Sequence, residues 1–289
     1  MDGPLVYSTD SFVVTPWRFP GGDIGKLAVC GTVNDVCMAG GQPKYLSLSF
    51  IIEEGFLMED FKAIVDSIAT TAQLAGVQIV TGDTKVVERG KGDGIYINTS
   101  GIGSQRAAGL SRKAIRPGDA VLVSGSVGCH GAAVLMARGE IPFAGELLSD
   151  CRPLHQLSAA ALEAGGVRIL RDPTRGGVAT TLNEFVEGSA LTIELEEDAI
   201  PVDPAVAAAC DLLGLDPLYS ACEGRMLAVV SPGQADAVLD ALHQTSGGEH
   251  AAMIGRVTES RPGHVVLRTA LGGSRILGKL TGAQLPRIC

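Results

Sequence analysis

Apolar and polar residues recur along the chain with two periods, one typical of helices and the other of strands. Between residues 57 and 75 apolar side chains recur every three or four positions, which predicts an amphipathic helix that Gly76 ends. Asp23 is placed to cap an earlier helix running to about residue 39, where Gly40 and Gly41 end it. Strands are predicted at 5–14, 44–52, 77–81 and 95–102, with a turn at Gly82 and Asp83.

A second block of strands and helices follows residues 105–119, where polar residues mix with glycine and proline and indicate a boundary. Strands are predicted at 120–124, 167–170, 226–230, 253–257 and 265–268, and helices at 128–137, 153–165 and 203–213. Two more helices are predicted, one after the segment 172–177 and one opened by Ser231 and Pro232. We therefore expect an α+β fold with mixed sheets and flanking helices. Its two domains are predicted at 1–108 and 109–272, before a flexible tail at 273–289.

Composition excludes several classes of protein. A net charge of −9 argues against a nucleic-acid partner. There is no apolar run of about 18 residues and no signal peptide, so we expect no membrane segment and a cytoplasmic location. The seven cysteines are odd in number and lack the spacing of a metal or redox motif, which favours free thiols in a reducing compartment.

Three aspartates are candidates for a metal and nucleotide site. Asp10, Asp35 and Asp83 lie at predicted strand ends or near turns, with serine or threonine hydroxyls close by in sequence. Hard oxygen ligands from separate elements suit a Mg²⁺ ion that holds the phosphates of a nucleotide. For any one of them alone, a turn or capping aspartate is the commoner explanation. Neither a P-loop nor a dinucleotide-binding glycine motif stands in its required context.

Two further groups could act on phosphates or protons. Lys85 follows Asp83 by two residues and would stabilise negative charge on a phosphoryl group, and Glu223 could be its partner or a second proton acceptor. The alternative is that Lys85 and Glu223 are two unrelated charges on the surface. The segment 172–177, which contains Asp172 and Arg175, could bind an anion at a helix start, and a plain capping loop is an equal alternative.

The chain ends in Cys289, whose thiol lies beside its own α-carboxylate. That negative charge disfavours the thiolate, so the residue suits a carrier loaded by another enzyme better than a nucleophile acting alone. With Gly282 as a pivot, the last seven residues span at most about 25 Å. The alternative is a stray cysteine in a frayed end.

These features together resemble one family. The strings that carry the resemblance are, in chain order, YSTDSFVV, FPGGDIGKLAVCGTVNDV, IVTGDTKVV, RDPTRGGVA, CEGRM and the terminal PRIC. They are similar to the HypE family of hydrogenase maturation factors, and TGDTK and DPTRGG are shared with the wider superfamily of aminoimidazole-ribonucleotide (AIR) synthetase-like, or PurM-like, enzymes. The resemblance covers essentially the whole chain and implies two AIR synthetase-like domains.

The resemblance also implies an enzyme and its partners. Similar proteins receive a carbamoyl group on the terminal cysteine from the carbamoyltransferase HypF. They then use ATP to dehydrate the S-carboxamide to an S-cyanate, and they pass cyanide toward the iron of a [NiFe]-hydrogenase precursor on the HypC–HypD complex. Dimers pair through strands of the N-terminal domain, so a homodimer is expected.

Residue roles follow from the same resemblance. It places catalytic roles at Cys289, Lys85, Glu223 and Arg287, the last of which would dock the tail. It places ATP binding at Asp10, Asn34, Asp35, Gly82, Asp83, Thr84, Lys85, Asp172 and Arg175. It places the Mg²⁺ ligands at Asp10, Asp35 and Asp83.

One departure from the family and two alternatives remain. Family members usually begin with a few dozen more residues, including a glycine-rich segment that would cover phosphates, so the resemblance leaves the ATP affinity and turnover of this sequence open. A kinase or synthetase of the same superfamily acting on a diffusible substrate is one alternative. A maturation scaffold without turnover is the other.

Overall fold

The N-terminal domain is a four-stranded sheet with two long helices against it. The computed structural model describes residues 3–139, 147–282 and 288. The elements of this domain are β1 (Leu5–Phe12), β2 (Arg18–Phe19), β3 (Gly22–Asp23), α1 (Ile24–Met38), β4 (Gly41–Glu53), α2 (Met58–Ala75), β5 (Gln78–Val87) and β6 (Ile95–Gln105). The sheet has the order β1-β6-β4-β5, in which β4 and β5 are parallel and the other pairs are antiparallel.

The C-terminal domain is built on a seven-stranded mixed sheet. Its elements are β7 (Ala120–Val123), α3 (Cys129–Ala137), α4 (His155–Ala164), β8 (Val167–Arg171), α5 (Gly177–Val186), β9 (Thr192–Glu196), α6 (Pro204–Leu213), β10 (Leu227–Val230), α7 (Ala235–His243), β11 (Ala252–Thr258), β12 (Val265–Arg268) and β13 (Ser274–Leu277). The strand order is β13-β12-β9-β11-β7-β10-β8, with β12 and β9 as its parallel pair. The predicted α+β fold with mixed sheets and flanking helices is confirmed.

Helix α1 is buried on every side. The side chain of Asp23 caps its start by accepting a hydrogen bond from the backbone N–H of Lys26 at 2.9 Å, as predicted. Thirteen of its fifteen residues are buried, because α1 packs on the sheet, on α2 and on α4 of the other domain. Gly25 and Gly31 permit this, since an added Cβ would lie 2.6 Å from the carbonyl of Ile64 and 2.7 Å from the ring of Phe12.

A buried amide on α1 joins the two domains. The Asn34 Nδ2 group donates to the carbonyls of Arg152 and Glu223 at 3.1 and 3.3 Å, and Oδ1 accepts from the N–H of Leu154 at 2.8 Å. All three partners are backbone groups of the C-terminal domain. The amide therefore satisfies polar groups that the interface would otherwise leave unpaired.

The structure differs from the sequence predictions at two points. Strand β5 runs without interruption through Gly82 and Asp83, where a turn was predicted. Gly82 is required there by packing, since a Cβ would lie 2.4 Å from the carbonyl of Leu48 on β4. Residues 274–277, which the sequence assigned to the flexible tail, form β13 because their backbone pairs with β12. No helix in the described part of the chain has both the length and the apolar character needed to cross a bilayer.

Replacement of Asn34 by alanine should destabilise the chain by about 2–3 kcal/mol, because it leaves one N–H and two carbonyls unpaired at a buried interface. The free energy of unfolding from urea titration measures this. Gln73→Ala, on the exposed side of α2, is the matched control and should change it by less than about 0.5 kcal/mol. Equal effects of the two substitutions would contradict the joining role of Asn34.

Candidate active site between the two domains

Two acidic side chains of the N-terminal domain face each other across β1 and α1. Asp10 lies on β1 with its side chain on the same face as the buried Phe12, toward α1. Asp35 lies on α1 and accepts a hydrogen bond from the Ser8 hydroxyl at 2.7 Å. Burial and the nearby charge of Asp10 raise the pKa of Asp35, although the Ser8 bond opposes this.

The C-terminal domain adds Asp172 to this pair. Asp172 is buried and follows β8 at the start of the loop into α5. Burial, together with the charges of Asp35 and Asp10, raises its pKa to about 7. These electrostatic interactions bring together three residues predicted from the sequence, two from one domain and one from the other.

Glu223 brings a fourth predicted residue to the cluster. It is 2% exposed, and its Oε1 has no hydrogen-bond partner within the described ranges. Burial, followed by the proximity of Cys151, Asp172 and Asp150, raises the pKa of Glu223 well above its ordinary value. A buried carboxyl with a raised pKa and an oxygen without a partner is a candidate for proton transfer.

Asp150 supports Glu223 from the neighbouring loop. Its Oδ1 accepts from the backbone N–H of Glu223 at 3.1 Å, and its Oδ2 lies 3.7 Å from Nε of Arg225. Burial raises the pKa of Asp150, and the cation of Arg225 opposes this. No sequence pattern predicted a role for Asp150, because its burial depends on contacts between segments distant in the chain.

The acidic cluster fits Mg²⁺ only with help from a ligand. Among the residues that the structure describes, no three His, Cys, Asp or Glu side chains are placed to hold a metal ion by themselves. Mg²⁺ usually binds one or two carboxylates together with substrate phosphates and water. Asp10 and Asp35 supply that kind of donor set, so the residues present fit a Mg²⁺ ion that arrives with a nucleotide.

Asp83 and Lys85 do not join this cluster within one chain. They lie on β5, the opposite edge of the sheet from β1, about 14 Å away along the sheet at the usual strand spacing. Asp83 is in register with Ser49, which is in register with Asn98 and through it with Ser11. Ser11 faces away from α1, so Asp83 and Lys85 point to the opposite face of the sheet from Asp10.

None of the other predicted site residues has a side chain shown to contact a carboxyl group of the acidic cluster among the described residues. Thr84 and Arg175 are exposed, and the amide of Asn34 is already fully bonded to backbone groups. Gly176 and Gly177, next to Arg175, have φ of +73° and +60°, so the loop needs glycine at both positions for its backbone conformation. Arg287 and Cys289 lie outside the described residues.

A buried histidine on α3, His130, lies beside the cluster. His130 bonds Ser149 through Nδ1 at 2.8 Å and the carbonyl of Ile288 through Nε2 at 2.7 Å. Ile288 is buried and belongs to the main hydrophobic core. The one sequence signal was a polar ring within an otherwise apolar helix, which indicates burial but no partner.

Comparison with known proteins supports the sequence resemblance. The AIR synthase related protein N-terminal domain matches residues 1–105, and the C-terminal domain of the same family matches residues 116–268. Carbamoyl dehydratase HypE from Rhizobium leguminosarum bv. viciae is 52% identical over 290 residues, which cover 99% of this chain and 83% of that protein. The chain belongs to the HypE family of carbamoyl dehydratases.

Solved HypE structures have the same fold. A crystal structure of the hydrogenase maturation protein HypE in complex with ATP superimposes with a TM-score of 0.96 at 49% identity, covering 100% of this chain and 88% of that one. A HypE–HypF complex matches with a TM-score of 0.92 at 47% identity, covering 96% of this chain and 90% of that one. The two domains of this HypE-family chain are therefore arranged as in its solved relatives.

The pKa of Asp172 predicts how stability depends on pH. The folded chain keeps this proton up to about pH 7, whereas the unfolded chain releases it near the ordinary value of 3.8. The carboxyl therefore makes the folded state less stable as pH rises between these values, with the full loss present above pH 7. Asp172→Asn should gain stability relative to the parent from pH 4 to 7, and the difference should level off above that. Urea unfolding at a series of pH values measures it, and a constant difference would contradict the assignment.

Proposed function

We propose that this chain dehydrates an S-carboxamide on its own Cys289 to an S-cyanate at the expense of ATP. The observation that carries the proposal is the position of Ile288, the residue bonded to Cys289, beside the acidic cluster. Its carbonyl contacts His130, His130 contacts Ser149, and the next residue, Asp150, accepts from the backbone of Glu223. Ile288 thus lies near groups that proton transfer requires, which supports the proposal.

The chemistry accounts for these residue types. An amide oxygen is a poor leaving group, so the γ-phosphoryl group of ATP is transferred to it while the amide nitrogen loses one proton, which gives an O-phosphorylated imidate on sulfur and ADP. The C–O bond then breaks, phosphate departs, and loss of the remaining N–H proton forms the nitrile. Glu223 is our candidate for the base, because its raised pKa makes its ionised form a strong proton acceptor.

ATP would bind where the acidic cluster meets the interdomain cleft. Asp10 and Asp35, with Asp172 beside them, would hold a Mg²⁺ ion that offsets the charge of the phosphates. The HypE relative crystallised with ATP supports ATP as the nucleotide, and the position of the site is our proposal. Arg287 would dock the tail against phosphate or carboxylate.

A second copy of the chain would supply Asp83 and Lys85. Strand β5 is an edge strand of ten residues, nine of them exposed, with Ile79, Val80 and Val86 on its surface. A long, bare and partly apolar edge is suited to pair with another chain. We propose a homodimer through this surface, in which Lys85 of one copy approaches the acidic cluster of the other.

The reaction also needs proteins that load and unload the tail. A carbamoyltransferase of the HypF type would add the carboxamide, as the HypE–HypF complex among the relatives supports. The HypC–HypD complex would accept cyanide for the hydrogenase iron. The six cysteines that the structure describes are all free, which supports a reducing, cytoplasmic location.

Cys289→Ala should abolish the product. Incubation of the parent with HypF, carbamoyl phosphate and ATP, the loading system, should add the mass of a carboxamide and then convert it to the smaller mass of a cyanate. The variant should gain neither mass, and intact-mass spectrometry measures both. Glu223→Gln in the same mixture is the control, and it should stop at the carboxamide.

Protein-bound cyanate on the alanine variant would refute the proposal. Unchanged ATP turnover after deletion of residues 286–289 would instead favour a kinase or synthetase acting on a diffusible substrate.

A mixed dimer tests whether two copies share one site. Lys85→Ala and Glu223→Gln should each lose dehydration as homodimers. Co-expression with two different tags allows the mixed dimer to be purified, and one of its two sites contains both parental residues. It should recover about half of the parental rate per dimer. A mixed dimer as inactive as both homodimers would contradict a shared site.

A further inference from the structure

The imidazole of His130 has the contacts of a docking group for the end of the chain. The ring is fully buried on α3 and meets the ring of Phe19 edge-on, with centroids 5.2 Å apart. Both of its nitrogens are hydrogen-bonded, one to the Ser149 hydroxyl and one to the backbone of Ile288. The contact with Ile288 spans 158 positions of sequence, so it does not belong to local helix structure.

These contacts determine the tautomer. A carbonyl oxygen can only accept, so Nε2 carries the proton and donates it to Ile288. Burial lowers the pKa of His130, which favours the neutral ring, and in that form Nδ1 accepts from the Ser149 hydroxyl. The oxygen of Ser149 in turn accepts from the backbone N–H of Cys151 at 3.1 Å. This chain of bonds directs the Nε2 proton at the tail.

We propose that His130 is a positioning residue that holds the C-terminal tail against the interdomain cleft by donating its Nε2 proton to the carbonyl of Ile288, with Ser149 fixing the ring. The inference rests on the proposed function for its purpose, since a tail that carries the substrate must be held during dehydration and released for loading. One hydrogen bond between neutral groups allows both holding and release, because its net contribution to the free energy of docking is small. Dehydration therefore depends on His130, and loading of the carboxamide does not.

Thiol alkylation tests the docking without ATP or a carbamoyl donor. The full chain is treated with iodoacetamide, and intact mass follows modification of Cys289, because the six described cysteines are buried. His130→Leu should be alkylated about tenfold faster, which is the effect of losing one hydrogen bond. His130→Gln, which offers an amide donor from a similar position, should remain closer to the parent. Cys289→Ala supplies the blank.

Ser149→Ala repeats the test without changing the ring. Loss of the hydroxyl frees the ring, so alkylation should accelerate, by a smaller factor than in His130→Leu. If His130→Leu does not fold, the alkylation rates of Ser149→Ala and His130→Gln test the docking role of His130 instead. Parental alkylation rates in every folded variant of His130 and Ser149 would overturn the proposal.

The kinetic prediction separates positioning from folding. In His130→Leu, loading by HypF and carbamoyl phosphate should proceed at the parental rate, whereas conversion of the loaded chain to cyanate should slow about tenfold. Restoration of conversion by His130→Gln would support the donor role, and equal slowing of both steps would overturn it. If the alkylation result holds while no cyanate forms in the parent, the proposed reaction fails and the docking stands.

Discussion

Helix α1 can be buried only when both domains are present, and this constraint organises the molecule. Its apolar side chains require the N-terminal sheet and α2 on one side and the C-terminal domain on the other. The polar members of the helix are buried by the same packing. Asn34 can be satisfied by backbone groups of the second domain, and Asp35 is brought toward Asp172. The helix therefore sets both the domain arrangement and the geometry of the cleft.

The cleft gathers acidic groups that would be unfavourable in an ordinary core. Asp35, Asp172 and Glu223 all have raised pKa values, with burial as the leading cause. Burial of charge without a partner opposes folding, so such a cluster is expected where a cation or a proton belongs to the function. The surroundings make Glu223 different from the many surface carboxylates of an acidic chain.

Most of the helices and strands could be predicted from sequence because their signals are local. Asp23 capped its helix as expected, and the amphipathic pattern of 57–75 gave α2 to within a residue. Strand order is not local, however, so the sequence could not indicate that Asp83 and Lys85 lie across the sheet from Asp10. Gly82 looked like a turn because its close approach to Leu48 exists only in the folded sheet. The hydrogen bonds of Asn34 and His130 could not be predicted either, since they are made to backbone groups far away in sequence.

The contact between His130 and Ile288 also bears on how this protein can change during evolution. Every residue offers a backbone carbonyl, so substitution at position 288 cannot remove the acceptor, although it changes the apolar volume that is buried there. Comparison of many related sequences for positions that vary together would find no partner for His130. A histidine of this kind would look like an isolated invariant residue, although its hydrogen bond joins the middle of the chain to a residue near the C-terminus.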